Sequence, residues 1–245
     1  MKRSLSVIIP ALNEEKNIFD AVSTAVRVLE KGGIDYEVLA FNDGSADRTE
    51  EILNEIAAAN SRIRVFHHRR NQGLGVVSRE AFEAAGKEYI TWFSGDNSIR
   101  EQSFHDIVHH TGEADIIIAY MVNNSDRPFL RRVISRTFVG IMNIIFGLRV
   151  KYYTGPSIYP TEMARSARLS SYGYDFAAEL LIRLLKSGAS YREAGFYHNA
   201  ENDGNSKAMS WRNLTNVIRT VFILARDVYI LRRPRGKLTG EEIKV

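Results

Sequence analysis

Short polar and acidic side chains follow four apolar segments in the first hundred residues of the chain. These polar stretches are residues 13–14, 42–45, 69–75 and 94–97. They include three carboxylates, Glu14, Asp43 and Asp96, and carboxylate oxygens accept hydrogen bonds from hydroxyl groups and bind Mg²⁺ or Mn²⁺. Asn, Asp, Gly and Ser are also ordinary turn and cap residues, so one such stretch alone would indicate little. Four in equivalent positions predict a shared binding rim.

The elements that carry these stretches alternate between strand and helix. A continuous apolar run at residues 5–9 predicts a buried strand, and further strands are predicted at residues 36–41, 63–66 and 89–93. Apolar residues at helical spacing lie between them. Repeated βα units predict an α/β fold, with a mostly parallel sheet covered by helices on both faces. Ligands of such sheets bind at the carboxyl ends of the strands, where the polar stretches lie.

Composition narrows the class of protein. A length of 245 residues favours one large domain with at most a small appendage. The chain has no cysteine, which excludes disulfides and thiolate chemistry, and its net charge of +4 is too small to indicate a nucleic-acid partner. No apolar run is long enough to span a bilayer, and the N-terminal run is too short for a signal peptide. We therefore expect a cytoplasmic protein, soluble or bound to a membrane surface.

Eight short motifs carry a resemblance to a known family. They are VIIPALNEE at 7–15, NDGSADRT at 42–49, NQGLG at 71–75, SGD at 94–96, RRVISR at 131–136, FGL at 146–148, YTG at 153–155 and GNSK at 204–207. In their order and spacing, the chain resembles the inverting nucleotide-sugar transferases with the GT-A fold. Within them it is most similar to the branch of dolichol-phosphate mannose synthase and the polyprenyl-phosphate glycosyltransferases. The resemblance spans roughly residues 4 to 210.

The resemblance implies a Rossmann-like GT-A domain at residues 1–208, and residues 209–245, whose apolar spacing and charges predict an amphipathic helix and a basic tail, follow it. It places the nucleotide sugar against Pro10, Asn13, Glu14, Asp43, Gly73, Asp96 and Lys207. It places the acceptor phosphate against Arg127, Arg131, Arg132, Ser135 and Arg136. Asp96 would also bind Mg²⁺ or Mn²⁺. The catalytic roles fall to Asp96, Arg131 and Arg136.

The chain departs from the family pattern at four positions. Asn42 and Ser94 stand where the family commonly has acids, so one carboxylate is left in each motif. A single carboxylate still suits Mg²⁺, which keeps several waters and also binds substrate phosphates. Ser157 and Glu201 stand where the family often has basic residues, which changes the expected contacts to the sugar and the phosphates.

The C-terminal half combines basic clusters with apolar helices. Four arginines between residues 127 and 136 precede a predicted apolar helix at 138–148, and a second predicted helix at 211–231 ends in the basic segment 232–235. A helix that is apolar nearly all round is either buried in the core or faces a membrane. Basic flanks suit an anionic membrane surface, and the transmembrane helix of a small partner subunit would suit the same face. We expect peripheral membrane association.

A polyprenyl phosphate acceptor would make the chemistry simple. A phosphate monoester is largely ionised near neutral pH, because its second pKa is about 6, and its oxygen is a nucleophile without a dedicated base. Arginines would hold this phosphate, while a cation at Asp96 and the ammonium of Lys207 would stabilise the departing diphosphate. In-line displacement would invert the anomeric carbon. The six histidines show no paired ligand spacing on a helix face and are interpreted as surface or rim residues.

Three functions remain open at this point. The leading one is transfer of a sugar from a nucleotide diphosphate to a polyprenyl or dolichyl phosphate. A transferase of the same fold that acts on a sugar hydroxyl of a glycan or polysaccharide would need a catalytic base, and no further acid pair is apparent near Asp96. The third is a non-catalytic binding subunit of the same fold, which Asn42 and Ser94 favour.

Overall fold

The computed structural model describes residues 3–167, 169–171, 173, 175–199, 221–226 and 229, together with the backbone of residues 240–242. Strands and helices alternate through most of these residues. They are β1 (Ser4–Ala11), α1 (Ile18–Lys31), β2 (Asp35–Asn42), α2 (Thr49–Ala59), β3 (Ile63–His67), α3 (Leu74–Ala84), β4 (Tyr89–Trp92), α4 (Glu101–His109), β5 (Ile116–Met121), α5 (Phe129–Phe146), β6 (Tyr159–Pro160), α6 (Thr161–Ser166), α7 (Phe176–Lys186), β7 (Tyr191–Phe196) and β8 (Gly240–Glu242).

The strands form two adjoining sheets. The larger sheet has the order β3-β2-β1-β4-β6 and is parallel except for β6, while the smaller sheet, β5-β7-β8, is parallel. An antiparallel bridge between Ile117 of β5 and Ile158, just before β6, joins them. Because the β6 segment is antiparallel to both β4 and β5, these two strands run in the same direction. The carboxyl ends of β1 to β5 therefore lie along one side of the molecule, which we call the carboxyl edge.

Apolar side chains on both faces of the larger sheet build the core. In β1, Val7 and Ile9 pack with α1 and α4 on one face, while Ile8 packs with α3 and α7 on the other. All three side chains are completely buried. This explains why residues 7–9 of β1 are all apolar, since a parallel strand covered on both faces needs no polar alternation. The predicted α/β fold is confirmed.

Helix α5 is longer than the sequence analysis predicts. It begins at Phe129, directly after Pro128, and not at residue 138. It continues through Gly140 to Gly147, which ends the helix with a φ of 60°. Three of the predicted acceptor arginines therefore lie inside the helix, namely Arg131, Arg132 and Arg136. The prediction of a basic segment before a separate apolar helix was wrong on this point, since arginine is a good helix former.

The C-terminal predictions fall mostly outside the described residues. Within the predicted helix at 211–231, residues 221–226 are helical, and Leu224 is buried in the core beside α7. The predicted boundary at residue 208 lies in the part that is not described, so the two-domain division stays a prediction. Among the described helices, none combines the length and the hydropathy that a membrane span requires.

Candidate active site

The loops after β1 and β2 hold each other through hydrogen bonds. The backbone N–H of Asn13 donates to Ser45 Oγ (2.9 Å), and the N–H of Ala46 donates to Asn13 Oδ1 (2.8 Å). Asn13 adopts a φ of 58°, a left-handed conformation that asparagine tolerates better than most residues. The side chain predicted to contact the nucleotide sugar thus also joins the two loops.

Glu14 lies in the same loop, against the start of α2. Its N–H donates to Thr49 Oγ1, and its carboxylate accepts a hydrogen bond from Asn17 Nδ2, both at 2.9 Å. The first turn of α2 is capped by Asp47, whose Oδ1 accepts the N–H of Thr49 at 3.0 Å. Burial would raise the pKa of Asp47, but hydrogen bonds from Thr49 and Glu15 outweigh it and lower that pKa. Asp47 therefore holds the start of α2, against which Glu14 lies.

Asn42 stands where the family commonly has an acid, and it stabilises the turn after β2. Its buried side chain accepts the N–H of Ser45 on Oδ1 (3.0 Å) and donates through Nδ2 to Glu50 (3.3 Å). Gly44 in this turn has a φ of 76°, and a Cβ there would lie 2.4 Å from the backbone carbon of Arg70. Glycine therefore allows the loops after β2 and β3 to pack against each other.

Asp43 connects the β2 end to the loop before α3. Its side chain is buried, and its carboxylate accepts the N–H of Gln72 on Oδ1 (2.8 Å) and the N–H of Gly73 on Oδ2 (2.9 Å). These N–H groups lie at the amino end of α3, where the helix dipole also favours a negative charge. Two predicted nucleotide-sugar residues, Asp43 and Gly73, are therefore in direct contact.

His68 completes this cluster, and the sequence analysis did not select it. Its Nδ1 lies 2.7 Å from Asp43 Oδ1, its Nε2 lies 2.9 Å from Glu80 Oε2, and its side chain is 7% exposed. Burial would lower its pKa, but the two carboxylates outweigh burial and raise it. The histidines were predicted to be surface or rim residues, and His68 lies at the rim with its side chain largely buried. The strand register could have revealed it, because Asn42 pairs with His67 and the next residues must meet.

Asp96 follows β4 near the middle of the carboxyl edge. It is half-buried, and its Oδ1 accepts the N–H of Ser98 at 3.0 Å. The preceding Gly95 packs against the end of β1, where a Cβ would lie 2.5 Å from the carbonyl oxygen of Pro10. A larger residue at this position would push the two loops apart. Pro10 and Asp96, which are predicted to share the nucleotide-sugar site, are therefore neighbours.

Hydrogen bonds continue from Asp96 toward β5 and β7. The N–H of Asn199 donates to the carbonyl of Ser98 (2.7 Å), and the N–H of His198 donates to Asn123 Oδ1 (2.9 Å). These contacts make the β4 loop and the segment after β5 one continuous surface. The predicted nucleotide-sugar residue Lys207 lies outside the described residues.

A pocket of about 240 Å³ lies where α5 faces the end of β5. It is lined by Met121, Asn124, Ser135, Arg136, Val139, Gly140, Lys151 and Tyr152. Ser135 and Arg136 are predicted acceptor residues, and Lys151 adds a cation that the sequence analysis missed. The Lys151 ammonium lies 3.8 Å from Glu193 and 4.4 Å from the centre of the Tyr120 ring. The pocket lining therefore includes two cationic side chains, Arg136 and Lys151, and two that carry hydroxyl groups, Ser135 and Tyr152.

The other predicted acceptor residues lie at the start of α5. Arg127 precedes the helix, and its buried Nε has no hydrogen-bond partner among the described residues. Arg131 and Arg132 lie in the first turn, where Arg132 Nη1 donates to the carbonyl of Ser125 (3.4 Å). The structure thus places four of the five acceptor candidates in the amino-terminal half of α5 and Arg127 two residues before it, and it brings Ser135 and Arg136 to the pocket.

Comparison with protein families gives this arrangement a context. The family model described as glycosyl transferase family 2 matches residues 6–171, which is 166 of the 245 residues. The chain belongs to glycosyl transferase family 2. This membership confirms the resemblance to a glycosyltransferase family.

Two curated family 2 relatives come from Haloferax volcanii. Glycosyltransferase AglD is 28% identical over 243 residues, which is 94% of this chain and 39% of AglD. The low-salt glycan biosynthesis hexosyltransferase Agl6 is 25% identical over 222 residues, which is 86% of this chain and 52% of Agl6. The chain therefore spans about half of these relatives or less.

Solved structures of glucosyl-3-phosphoglycerate synthase from Mycobacterium tuberculosis share the fold. Its complex with UDP superposes with a TM-score of 0.68 at 20% identity, over 91% of this chain and 80% of that chain. Its complex with Mn²⁺, UDP-glucose and phosphoglyceric acid gives 0.67 at 19% identity, over 97% and 88% of the two chains. The likeness establishes the GT-A fold of this family 2 domain.

A divalent cation in this glycosyltransferase would depend on Asp96. In the part of the chain that the structure describes, no group of three or more His, Asp or Glu side chains is placed to hold a metal ion. Asp96 offers one half-buried carboxylate, of which one oxygen also accepts the N–H of Ser98. This donor set fits a cation that takes its other ligands from a diphosphate and from water, as Mg²⁺ commonly does.

Proposed function

We propose that this family 2 domain transfers a sugar from a nucleotide diphosphate to a polyprenyl phosphate, with inversion, at the cytoplasmic surface of a membrane. The observation that carries the proposal is helix α5, which exposes apolar side chains beside a basic pocket at the carboxyl edge. Each part of the proposal can be argued from the described residues.

Helix α5 turns large apolar side chains toward solvent. Its exposed apolar face consists of Phe129, Leu130, Val133, Ile134, Ile141 and Ile144. Phe129 is 73% exposed and Ile144 is 84% exposed, while Met142 and Phe146 anchor the opposite side in the core. A helix on a soluble protein normally directs its apolar stripe to the core. An exposed apolar face of this length supports contact with lipid.

Basic residues accompany the apolar face. Residues 126–149 contain five arginines and one acid. Each arginine close to an anionic surface contributes roughly 1 kcal/mol of attraction. A helix with this composition favours an orientation in the plane of the membrane interface. The pocket with Ser135 and Arg136 would then lie where the phosphate of a polyprenyl lipid is found. The transmembrane helix of a small subunit would fit the same face and strengthen the attachment.

The donor would occupy the carboxyl edge at the ends of β1, β2 and β4. We assign its base and ribose to Pro10, Asn13, Glu14, Asp43 and Gly73. Asp96 would hold Mg²⁺ or Mn²⁺, which when bound supplies positive charge to the departing diphosphate. Lys207 would contact the same diphosphate. The hydrogen bonds that hold Asn13, Asp43 and Asp96 in place support this assignment, because a site held in position loses less entropy on binding.

The acceptor phosphate supplies its own nucleophile. Arg131 and Arg136 would hold it through charge-assisted hydrogen bonds and align one oxygen with the anomeric carbon. That oxygen forms the new bond to carbon while the bond from carbon to the diphosphate oxygen breaks, so the configuration inverts. The phosphate is largely ionised at neutral pH, which removes the need for a general base.

A sugar hydroxyl of a glycan is the second candidate acceptor. The name of Agl6, a hexosyltransferase of glycan biosynthesis, favours it. Such a reaction needs a general base, and Glu179 cannot supply it because its carboxylate is fully buried between Ser170, Ser171 and Arg183. Burial would raise the pKa of Glu179, but hydrogen bonds from these residues lower it. A non-catalytic subunit would bind the donor and transfer nothing.

A panel of nucleotide sugars tests the proposal. The protein is incubated with each sugar and polyprenyl phosphate, with and without Mg²⁺ or Mn²⁺, and lipid-linked product is measured. Parallel reactions contain glycan acceptors in place of the lipid. We expect cation-dependent lipid-linked product with one nucleotide sugar. Transfer to the glycans alone would establish the second candidate, and nucleotide binding without transfer to any acceptor would indicate a binding subunit.

A further inference from the structure

We propose that His68 is a positioning residue, which in its doubly protonated form clamps Asp43 and thereby holds the loop before α3 in the shape that binds the donor. The inference rests on the proposed donor site at the carboxyl edge. It assigns no contact between His68 and the nucleotide.

The strand register brings the two residues together. Asn42 pairs with His67 across β2 and β3, and the N–H of His68 donates to the carbonyl of Asn42 at 2.9 Å. The segments after β2 and β3 then leave the sheet side by side. The His68 ring packs edge-on against the Phe41 ring, with 6.3 Å between the ring centres. The ring is fixed by the sheet on one side and by α3 on the other, so its nitrogens have defined partners.

Those partners require a charged ring. Nδ1 and Nε2 each face a carboxylate oxygen within 3 Å, Asp43 on one side and Glu80 on the other. A neutral imidazole has one N–H and would set a lone pair against the second carboxylate. An imidazolium donates to both. The geometry therefore selects the protonated ring at the pH where both acids are ionised.

The other charged groups around the ring do not oppose this state. Asp43 faces it from the end of β2 and Glu80 faces it from α3. On its own segment the neighbours are His67 and Arg69, and neither shares a hydrogen bond with His68 in the described part of the chain. The two acids raise the pKa of His68 despite burial, which agrees with the geometry.

The clamp continues from the ring into the loop. Asp43 accepts the N–H groups of Gln72 and Gly73 with the same carboxylate that contacts His68. About four acceptor positions exist on a carboxylate, so three internal contacts leave about one for a nucleotide hydroxyl. The direction of that position is set by the other three. Loss of the proton from His68 removes the charge that holds Asp43 and Glu80 together.

The raised pKa of His68 sets the direction in which stability and donor affinity change with pH. A histidine whose pKa is raised on folding stabilises the folded state fully below the usual value of 6.5 and loses that contribution as the pH rises through the raised pKa. Donor affinity should fall as the pH rises through this pKa. We expect the donor Kd to increase by about three- to tenfold over that pH range, and the KM for the donor to rise while kcat at saturating donor is retained.

Nuclear magnetic resonance of the ligand-free protein tests the clamp directly. The Cε1 proton of His68 and the backbone amides of Gln72 and Gly73 are followed from about pH 5.5 to about pH 9. We expect one shared midpoint above 6.5. In Glu80→Gln the midpoint should fall, since one of the two acids loses its charge. A midpoint at or below the usual value, or amide signals that do not follow the ring, would overturn the proposal.

Donor binding is measured in a second arm with UDP and GDP in the presence of Mg²⁺. His68→Asn places an amide N–H near the position of Nδ1 and does not titrate, so it should bind with a Kd that is independent of pH. His68→Ala should bind roughly tenfold more weakly than the wild type at low pH. His67→Asn, at the neighbouring exposed position, is the control and should keep the wild-type pH dependence. A wild-type nucleotide Kd that does not change with pH would overturn the clamp. Absence of nucleotide binding at every pH would contradict the donor site, and the amide signals would then decide whether the clamp exists.

Discussion

The carboxyl edge and helix α5 belong to the same end of the molecule and are built in opposite ways. At the carboxyl edge the predicted donor residues are part of the fold. Asn13 and Asp43 each accept a backbone N–H from a neighbouring loop, and Asp96 accepts that of Ser98 in its own loop. Along α5, by contrast, the apolar face extends into solvent beside the partly exposed acceptor candidates, and a few side chains such as Met142 and Phe146 fix the helix.

The contrast indicates two kinds of ligand. A donor diphosphate must be aligned to a fraction of an ångström, and hydrogen bonds made before binding reduce the entropy lost on binding. A lipid in a fluid membrane needs apolar and basic side chains that adapt to it, not an internal network. Substitutions at the carboxyl edge should therefore change donor binding, the stability of the fold, or both. Substitutions on α5 should change acceptor use and leave the fold intact.

The largest effect is expected for Asp96→Asn. Asparagine keeps the oxygen that accepts the N–H of Ser98, so the loop should fold, but it removes the charge that would bind the cation. We expect transfer to fall by about 10²- to 10³-fold and the cation to lose its effect on nucleotide-induced thermal stabilisation. Asp106→Asn on α4, where the carboxylate accepts from Gln102, is the matched control. Normal transfer by Asp96→Asn would refute the proposed metal site.

A second substitution should disrupt the packing of the loops at the carboxyl edge without replacing a residue that is proposed to bind a ligand. Gly44→Ala introduces a Cβ 2.4 Å from the backbone of Arg70 at a φ of 76°. We expect the free energy of unfolding to fall by roughly 2 to 4 kcal/mol, together with loss of nucleotide binding. Denaturant unfolding and calorimetric titration measure the two effects.

The matched substitution for Gly44→Ala lies on α5. A Cβ at Gly140 meets no atom within 4 Å, and the residue is in a helix interior, so Gly140→Ala should raise the free energy of unfolding by about 0.5 to 1 kcal/mol. Nucleotide binding should be unchanged. Equal stabilities of the two variants would show that the loops at the carboxyl edge can move apart at little cost.

The sequence predicted the carboxyl edge better than it predicted α5. Strand periodicity located β1 to β4, and the polar residues after them do meet, because parallel strands end on the same side of a sheet. The contact of His68 with Asp43 depends on the register of two strands, which composition does not specify. Lys151 reaches the acceptor pocket through tertiary packing alone. The predicted start of α5 was too late along the sequence. An arginine cluster in a sequence is typical of a solvated linker as well as of an exposed helix face, and only the structure distinguishes the two.

On the acceptor side, Arg136→Ala should separate transfer from donor binding. Arg136 lines the pocket with Ser135, so loss of one charge-assisted contact to the acceptor phosphate should reduce transfer about ten- to hundredfold at subsaturating acceptor. The donor Kd should not change. Arg131→Ala should act in the same direction. Arg27→Ala on α1, which breaks an exposed pair with Glu101, is the control and should have little effect. Loss of donor binding with normal transfer at saturating donor would assign the α5 arginines to the diphosphate.

Ile144→Asn should have a modest effect on membrane binding, and it distinguishes the apolar from the electrostatic part of the α5 face. Ile144 is 84% exposed, so its removal should leave the fold intact and weaken flotation with anionic liposomes by roughly five- to tenfold, from about 1 to 1.5 kcal/mol of lost apolar burial. The loss should be the same at low and high salt, whereas Arg136→Ala should matter mainly at low salt. Phe19→Asn on α1, at a residue that is 59% exposed, should have no effect. Complete recovery of the wild-type protein in the lipid-free fraction at low salt would mean that α5 needs a partner protein to reach the membrane.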